Sequence, residues 1–154
     1  VLNIEVLFFG PDQNKLLKEK IENSIRHKNL QHIIKFYGPT NKMNLIYALS
    51  DIVISSSTDP EAFGRVSIEA QAMGKLIIAS AHGGSQETIL EGKTGYLYSP
   101  KNPFELMEKI SSAIDQKTYS SNEMSASAIE HIKSNYGKDK MCKKTLEFYQ
   151  EIIG

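Results

Sequence analysis

Five short apolar runs, each stopped by glycine, proline or serine, alternate with segments of helical spacing. This alternation restricts the chain to few folds. Residues 4–9 end at Gly10-Pro11, and residues 32–37 end at Gly38-Pro39. Residues 51–55 run into a polar loop, Ser56-Ser57-Thr58-Asp59-Pro60. Residues 75–80 lead to Gly83-Gly84, and residues 95–98 end at Ser99-Pro100. Short apolar runs bounded by such residues read as buried strands. Between them, residues 15–27 carry Leu17, Ile21 and Ile25 at four-residue spacing, one apolar helical face. Further helices are expected at 44–49, at 65–73 with Gly74 as the stop, and near 85–91 with Ser85 as cap. Three more are expected over 103–115, 122–135 and 138–153. Strands alternating with helices of this length predict parallel β-α-β units in a doubly wound, Rossmann-like α/β sheet with extra C-terminal helices. Ligands of such sheets bind beyond the carboxyl ends of the strands, where the polar and glycine-rich sequence of this chain concentrates.

With 154 residues, the chain has the length of one domain with a real core, so 1–154 is expected to form a single domain. Eighteen basic residues balance 18 acidic ones. The absence of a basic excess argues against a nucleic-acid partner. No apolar run approaches a membrane span. The apolar run 2–9 has neither the basic flank nor the small-residue cleavage pattern of a signal peptide, and reads as a first strand. Cys142 is the only cysteine, so no internal disulfide can form, which fits a reducing, cytoplasmic compartment. The sequence opens at Val1 directly on that strand, which suggests part of a longer protein.

The chemistry concentrates in Pro60-Glu61-Ala62-Phe63-Gly64-Arg65-Val66-Ser67-Ile68-Glu69-Ala70. Two carboxylates stand on either side of a Phe-Gly turn that opens a helix. Such a turn can present free backbone N–H groups to a phosphate. A carboxylate on each side can hold the hydroxyls flanking that phosphate, the layout of a sugar nucleotide. Two glutamates eight positions apart mean little alone. Their surroundings are specific: Ser57 before them, Gly74 after, then Gly83-Gly84 with Glu87, then Gly92, Thr94-Gly95 and Pro100. Glu61 can also be read as a solvated loop carboxylate and Glu69 as an exposed helix residue. The Phe63 side chain is expected in the core, and the Arg65 side chain is open between ligand contact and plain exposure. Gly83-Gly84 can be a sugar-side turn or a purely structural one, with Glu87 bracing it. His82 reads as an incidental loop histidine. Lys138, Lys140, Lys143 and Lys144 read as a solvated helix face.

With these residues in order, the sequence resembles the retaining glycosyltransferases of the GT-B fold, and most of all the family 4 group. That family carries a Glu-x7-Glu motif with Phe-Gly inside it, a Gly-Gly-x2-Glu segment and a Thr-Gly pair. The resemblance covers nearly the whole chain and implies the C-terminal, donor-binding half of a two-domain enzyme. It implies that Glu61 faces the donor sugar as the catalytic-site carboxylate. Backbone N–H groups around Phe63, Gly64, Arg65 and Val66 would cradle sugar and diphosphate, and Glu69 would bond the ribose. Ser57 would line the same site, and Gly38 and Pro39 would lie near the base. It implies a UDP-, GDP- or ADP-sugar as donor, a hexose transferred to a glycan or glycolipid hydroxyl, and no metal or other cofactor. No paired Asp-x-Asp is present and the four histidines are scattered.

Family members also carry an N-terminal acceptor domain and basic residues just before the first strand of the donor domain. Both are absent from this sequence. The expectation is therefore weak nucleotide binding and no transfer by this chain alone, with any membrane contact made by the longer protein. Two alternatives remain open. GT-B-type sugar-nucleotide epimerases share the glycine-rich turn followed by glutamate, although not the Glu-x-Phe-Gly helix start. A non-enzymatic doubly wound nucleotide-binding module is the other. Glycan phosphorylases and flavodoxin-like regulators fit poorly, lacking the pyridoxal-phosphate lysine pattern and the acidic first-strand cluster.

Overall fold

The computed structural model describes residues 4–12, 14–115 and 122–153. The chain divides into two compact units, Val1–Met43 and Asn44–Gly154. The first is a single parallel β-α-β unit: β1 (Val6–Phe9), α1 (Lys15–His27) and β2 (Ile34–Tyr37). Val6 pairs with Ile34 and Phe9 with Tyr37. Aromatic pairs reinforce this register, Phe8 on Phe36 at 4.9 Å and Phe9 on Tyr37 at 5.0 Å. Asn14 caps α1 by accepting the Leu17 N–H, and Ile25 buries its apolar face. Both strands are shorter than expected. Residues 32 and 33 belong to the turn after α1, where the Ile33 N–H donates to the Leu30 carbonyl. Of the apolar run 2–9, residues 2 and 3 lie outside the described residues.

The second unit holds α2 (Met43–Leu49), whose first residue marks the unit boundary, and a three-stranded sheet. Its strands β3 (Ile52–Ser55), β4 (Leu76–Ser80) and β5 (Tyr96–Tyr98) run in parallel, in the order β3-β4-β5. Every residue of the central strand β4 is buried, as expected where both sheet faces are covered. On one face Leu76 and Ile78 pack with Tyr98 and with Ala113 of α5 (Pro103–Asp115), bordered by Leu106, Ile110 and Met124. The period of two turns Ile77 and Ala79 to the opposite face.

Helix α3 (Arg65–Ala72) joins β3 to β4. It ends at Gly74 in the left-handed conformation (φ +65°). The Lys75 N–H bonds back to the Ala70 carbonyl and the Gly74 N–H to that of Gln71, which closes the helix end. A side chain at Gly74 would collide with Ser125 and Ile129 of α6 (Asn122–Tyr136), so glycine also permits the α3–α6 packing. Between β4 and β5, α4 (Ser85–Thr88) is shorter than expected. Residues 90–95 form a turn instead, in which Thr94 Oγ1 accepts the Leu90 N–H and the Gly92 N–H bonds to the Gly95 carbonyl. Ser85 is the first helical residue rather than the cap, which is Gly84.

The last helix, α7 (Lys138–Ile153), has no buried residue. Lys138, Lys143 and Lys144 are exposed on it, whereas Lys140 ties back to Ser134 and Asn135 of α6. Among the described residues, no helix is long and apolar enough to cross a membrane.

Candidate functional site

Two loops leave the carboxyl ends of the adjacent strands β3 and β4 and lie backbone against backbone. Glu61 forms an isolated parallel bridge with Gly83, and the Gly84 N–H donates to the Glu61 carbonyl at 2.8 Å. This approach requires both glycines. Gly83 is left-handed (φ +57°), and a Cβ there would run into the Glu61 backbone. A Cβ at Gly84 would come within 2.5 Å of the Phe63 carbonyl carbon. The Gly-Gly pair is thus the seat on which the Glu61 loop rests. The Glu61 side chain is half-buried, and its Oε1 accepts a bond from the Ser57 hydroxyl.

Gly64 closes the loop and opens α3. It is buried, left-handed (φ +70°), and so close to α4 that a Cβ would stand 3.3 Å from the Ser85 nitrogen. No side chain caps this helix end. The first bond of the α3 ladder is donated by Ile68 to the Gly64 carbonyl, so the N–H groups of Arg65, Val66 and Ser67 precede it. These are the donors an anion would meet, at the positive end of the helix dipole.

Glu69 lies four residues further, about 6 Å along the axis from Arg65. Its two oxygens have separate partners. Tyr47 of α2 donates its hydroxyl to Oε2 at 3.0 Å, and Arg65 donates to Oε1 at 2.9 Å. Burial raises the Tyr47 phenol well above its ordinary value, and the hydrogen bond and charge of Glu69 push it the same way.

Beneath the site runs a buried polar network. Gln71 donates to the carbonyls of Ser67 and Thr88, Thr88 Oγ1 donates to the Gly84 carbonyl, and the Ser67 and Ser85 hydroxyls lie 3.4 Å apart. It ties α3 to α4, and through Gly84 to the paired loops. From the other side, the Tyr136 hydroxyl at the end of α6 donates to the Glu87 carbonyl at 2.8 Å. Its ring meets Phe63 edge-on at 6.1 Å.

The structure brings Ser57, Glu61, Phe63, Gly64, Arg65, Val66 and Glu69 into one stretch of loop and helix within the second unit. Phe63 departs from its expected core position. Its side chain is 52% exposed: Gly84 packs against its backbone, and its ring meets Tyr136 edge-on. The Arg65 side chain is solvent-facing apart from its bond to Glu69. Glu87 braces its turn through its carbonyl while its side chain stays exposed. His82 is half-buried with Nε2 unpartnered. Gly38 and Pro39 follow β2 in the first unit, where both are exposed. No group of three or more metal-ligating side chains occurs among the described residues. Sequence reasoning missed Tyr47 and the Ser67–Gln71–Thr88 network. Tyr47 carries no local signal, because its partner lies 22 residues away.

Parallel strands that deliver a glycine-seated double loop and an uncapped helix start define an α/β domain of the GT-B glycosyltransferase type. Residues 2–134 match the family model for glycosyl transferases group 1, and the chain belongs to that family. Spore coat protein SA of Bacillus subtilis is 29% identical over 146 residues, covering 94% of this chain and 38% of that protein. A glycosyltransferase from Rickettsia africae superposes with a TM-score of 0.88 at 33% identity, over 98% of this chain and 40% of that one. Anabaena HepE, solved in complex with UDP, superposes with a TM-score of 0.89 at 23% identity, over 96% of this chain and 41% of that one. The chain therefore spans about two fifths of the length of these relatives.

Proposed function

We propose that this chain is the donor-binding, C-terminal domain of a retaining GT-B glycosyltransferase of family 4 type. The whole enzyme moves a hexose from a nucleotide sugar to an acceptor hydroxyl in polysaccharide or glycolipid synthesis. The observation that carries this reading is the spacing of three features on one continuous stretch. Glu61 sits in the loop, the free N–H groups of Arg65, Val66 and Ser67 follow, and Glu69 stands one turn beyond Arg65. Sugar, diphosphate and ribose follow one another in the same order in a sugar nucleotide.

In this reading Glu61, steadied by Ser57, accepts hydroxyls of the donor sugar. The α3 N-terminus and the N–H groups beside Gly64 hold the diphosphate and stabilise the charge that grows on it as the glycosidic bond breaks. The leaving diphosphate assists the incoming hydroxyl on the same face of the sugar, so the protein chiefly orients the sugar and holds charge. The reading assigns no metal ion to the step. It places the enzyme in the cytoplasm, with any membrane or acceptor contact made by the rest of a longer protein. HepE was solved with UDP and with UDP-glucose, which supports a nucleotide-sugar donor and makes UDP the first nucleotide to test beside GDP and ADP.

Calorimetric titration of this chain with UDP, GDP and ADP tests the reading, with Glu69→Ala as the control. Weak binding of UDP, lowered by the substitution, is the expected outcome, together with no sugar transfer by the chain alone. Charged hydrogen bonds of this kind contribute roughly 1.5–3 kcal/mol each. UDP binding that ignores Glu69→Ala would remove the ribose assignment, and binding of none of the three would count against the donor site.

A further inference from the structure

We infer that Tyr47 is the positioning residue that fixes the Glu69 carboxylate for a vicinal diol, and so sets the preference of this site for a ribonucleotide over a deoxyribonucleotide. The inference rests on the assignment of Glu69 to the ribose.

A glutamate side chain has three rotatable bonds, and a carboxylate on a helix surface samples many positions. Glu69 does not have that freedom, because each oxygen is held by a separate donor. The two donors are unequal. The Arg65 side chain is 83% exposed, and an ion pair of this i, i+4 kind in water imposes little order. Tyr47 is 4% exposed, with its ring packed into the unit, and its hydroxyl donates to Glu69 Oε2. A buried phenol without a partner is costly, so the bond to Oε2 is strongly retained. Tyr47 is therefore the fixed point and Arg65 the loose one. The elevated phenol pKa agrees, since the neutral donor form is retained to high pH.

The geometry leaves the carboxylate usable. An ionised carboxylate offers about four lone-pair sites, and Tyr47 and Arg65 occupy one on each oxygen. One acceptor site on each oxygen remains, which suits two adjacent hydroxyls. With the hydroxyl of Tyr47 removed, the carboxylate loses its fixed orientation. Two hydroxyl contacts then require ordering that the protein no longer supplies. A purely structural tie between α2 and α3 would lower stability without changing the response to the sugar hydroxyls.

The test is a double-mutant cycle on the whole 154-residue chain, read by equilibrium titration with UDP and with 2′,3′-dideoxy-UDP. Tyr47→Phe keeps the ring, and a thermal scan of each variant checks folding. The wild type is expected to favour UDP over the dideoxy analogue. Tyr47→Phe should weaken UDP binding by roughly 5–10-fold. The same substitution should change dideoxy binding, or UDP binding in the Glu69→Ala background, by less than about 2-fold. Equal weakening toward UDP and dideoxy-UDP, or an undiminished effect in the Glu69→Ala background, would overturn the inference and leave the donor site standing. Failure of the wild type to bind UDP, or indifference of UDP binding to Glu69→Ala, would remove the ribose assignment and the inference with it.

Discussion

The two glutamates of this site are held in opposite ways. Glu61 sits in a loop, and its position comes from the backbone: the bridge to Gly83, the Gly84 N–H on its carbonyl, and two glycines that let the chains touch. One hydroxyl, that of Ser57, steadies its side chain. Glu69 sits on a helix whose backbone is secured by its own ladder, and its position comes from side chains, Tyr47 and Arg65. A loop carboxylate is placed by what surrounds its main chain, and a helical one by what reaches its tip. Substitutions should therefore injure the two in different currencies, stability and fold for Glu61 and binding geometry for Glu69.

The largest expected effect is at the glycine seat. Gly84→Ala forces a Cβ against the Phe63 carbonyl carbon, so the loop must move or the turn must open. A loss of about 2–3 kcal/mol in unfolding free energy is expected, measurable by urea titration. A stability unchanged by this substitution would break the claim that the backbone places Glu61. Next is Tyr136→Phe, which frees the Glu87 carbonyl and loosens α6 from α4 while keeping the ring against Phe63. About 1 kcal/mol of stability should be lost.

A pH series separates the hold on Glu69 from that on Glu61. The Tyr47 phenol is raised in the folded state, first by burial and then by Glu69. Its contribution to stability is fully present below the ordinary tyrosine value near 10 and declines above it, because the unfolded chain then releases a proton that the folded chain keeps. The wild type should therefore lose more stability between about pH 10 and 12 than Tyr47→Phe does, in parallel thermal scans. The smallest effect belongs to Arg65→Ala. Its exposed pair with Glu69 contributes roughly 0.3–0.5 kcal/mol to α3. A loss several times larger would make Arg65, rather than Tyr47, the anchor.

Much of this was legible before the structure. The stops after each apolar run located the strand ends, and Gly74 ends α3 as its position implied. The stretch from Glu61 to Glu69 showed its spacing directly, because both carboxylates and the turn between them are local in sequence. What stayed hidden depends on contacts across the chain. Nothing near Tyr47 announces a partner on α3. Phe63 reads as core by its hydrophobicity, yet Gly84 packs against its backbone and its ring is half-exposed. The segment after Ser85 reads as a longer helix, but Thr94 and Gly95 draw residues 90–95 into a turn.

The most direct test of the donor site is an amide NMR titration of this chain with UDP. The largest shifts are expected at the N–H groups of Gly64, Arg65, Val66 and Ser67, with smaller ones at Gly83 and Gly84. Shifts that leave these six amides unmoved and gather elsewhere on the chain would contradict the donor site.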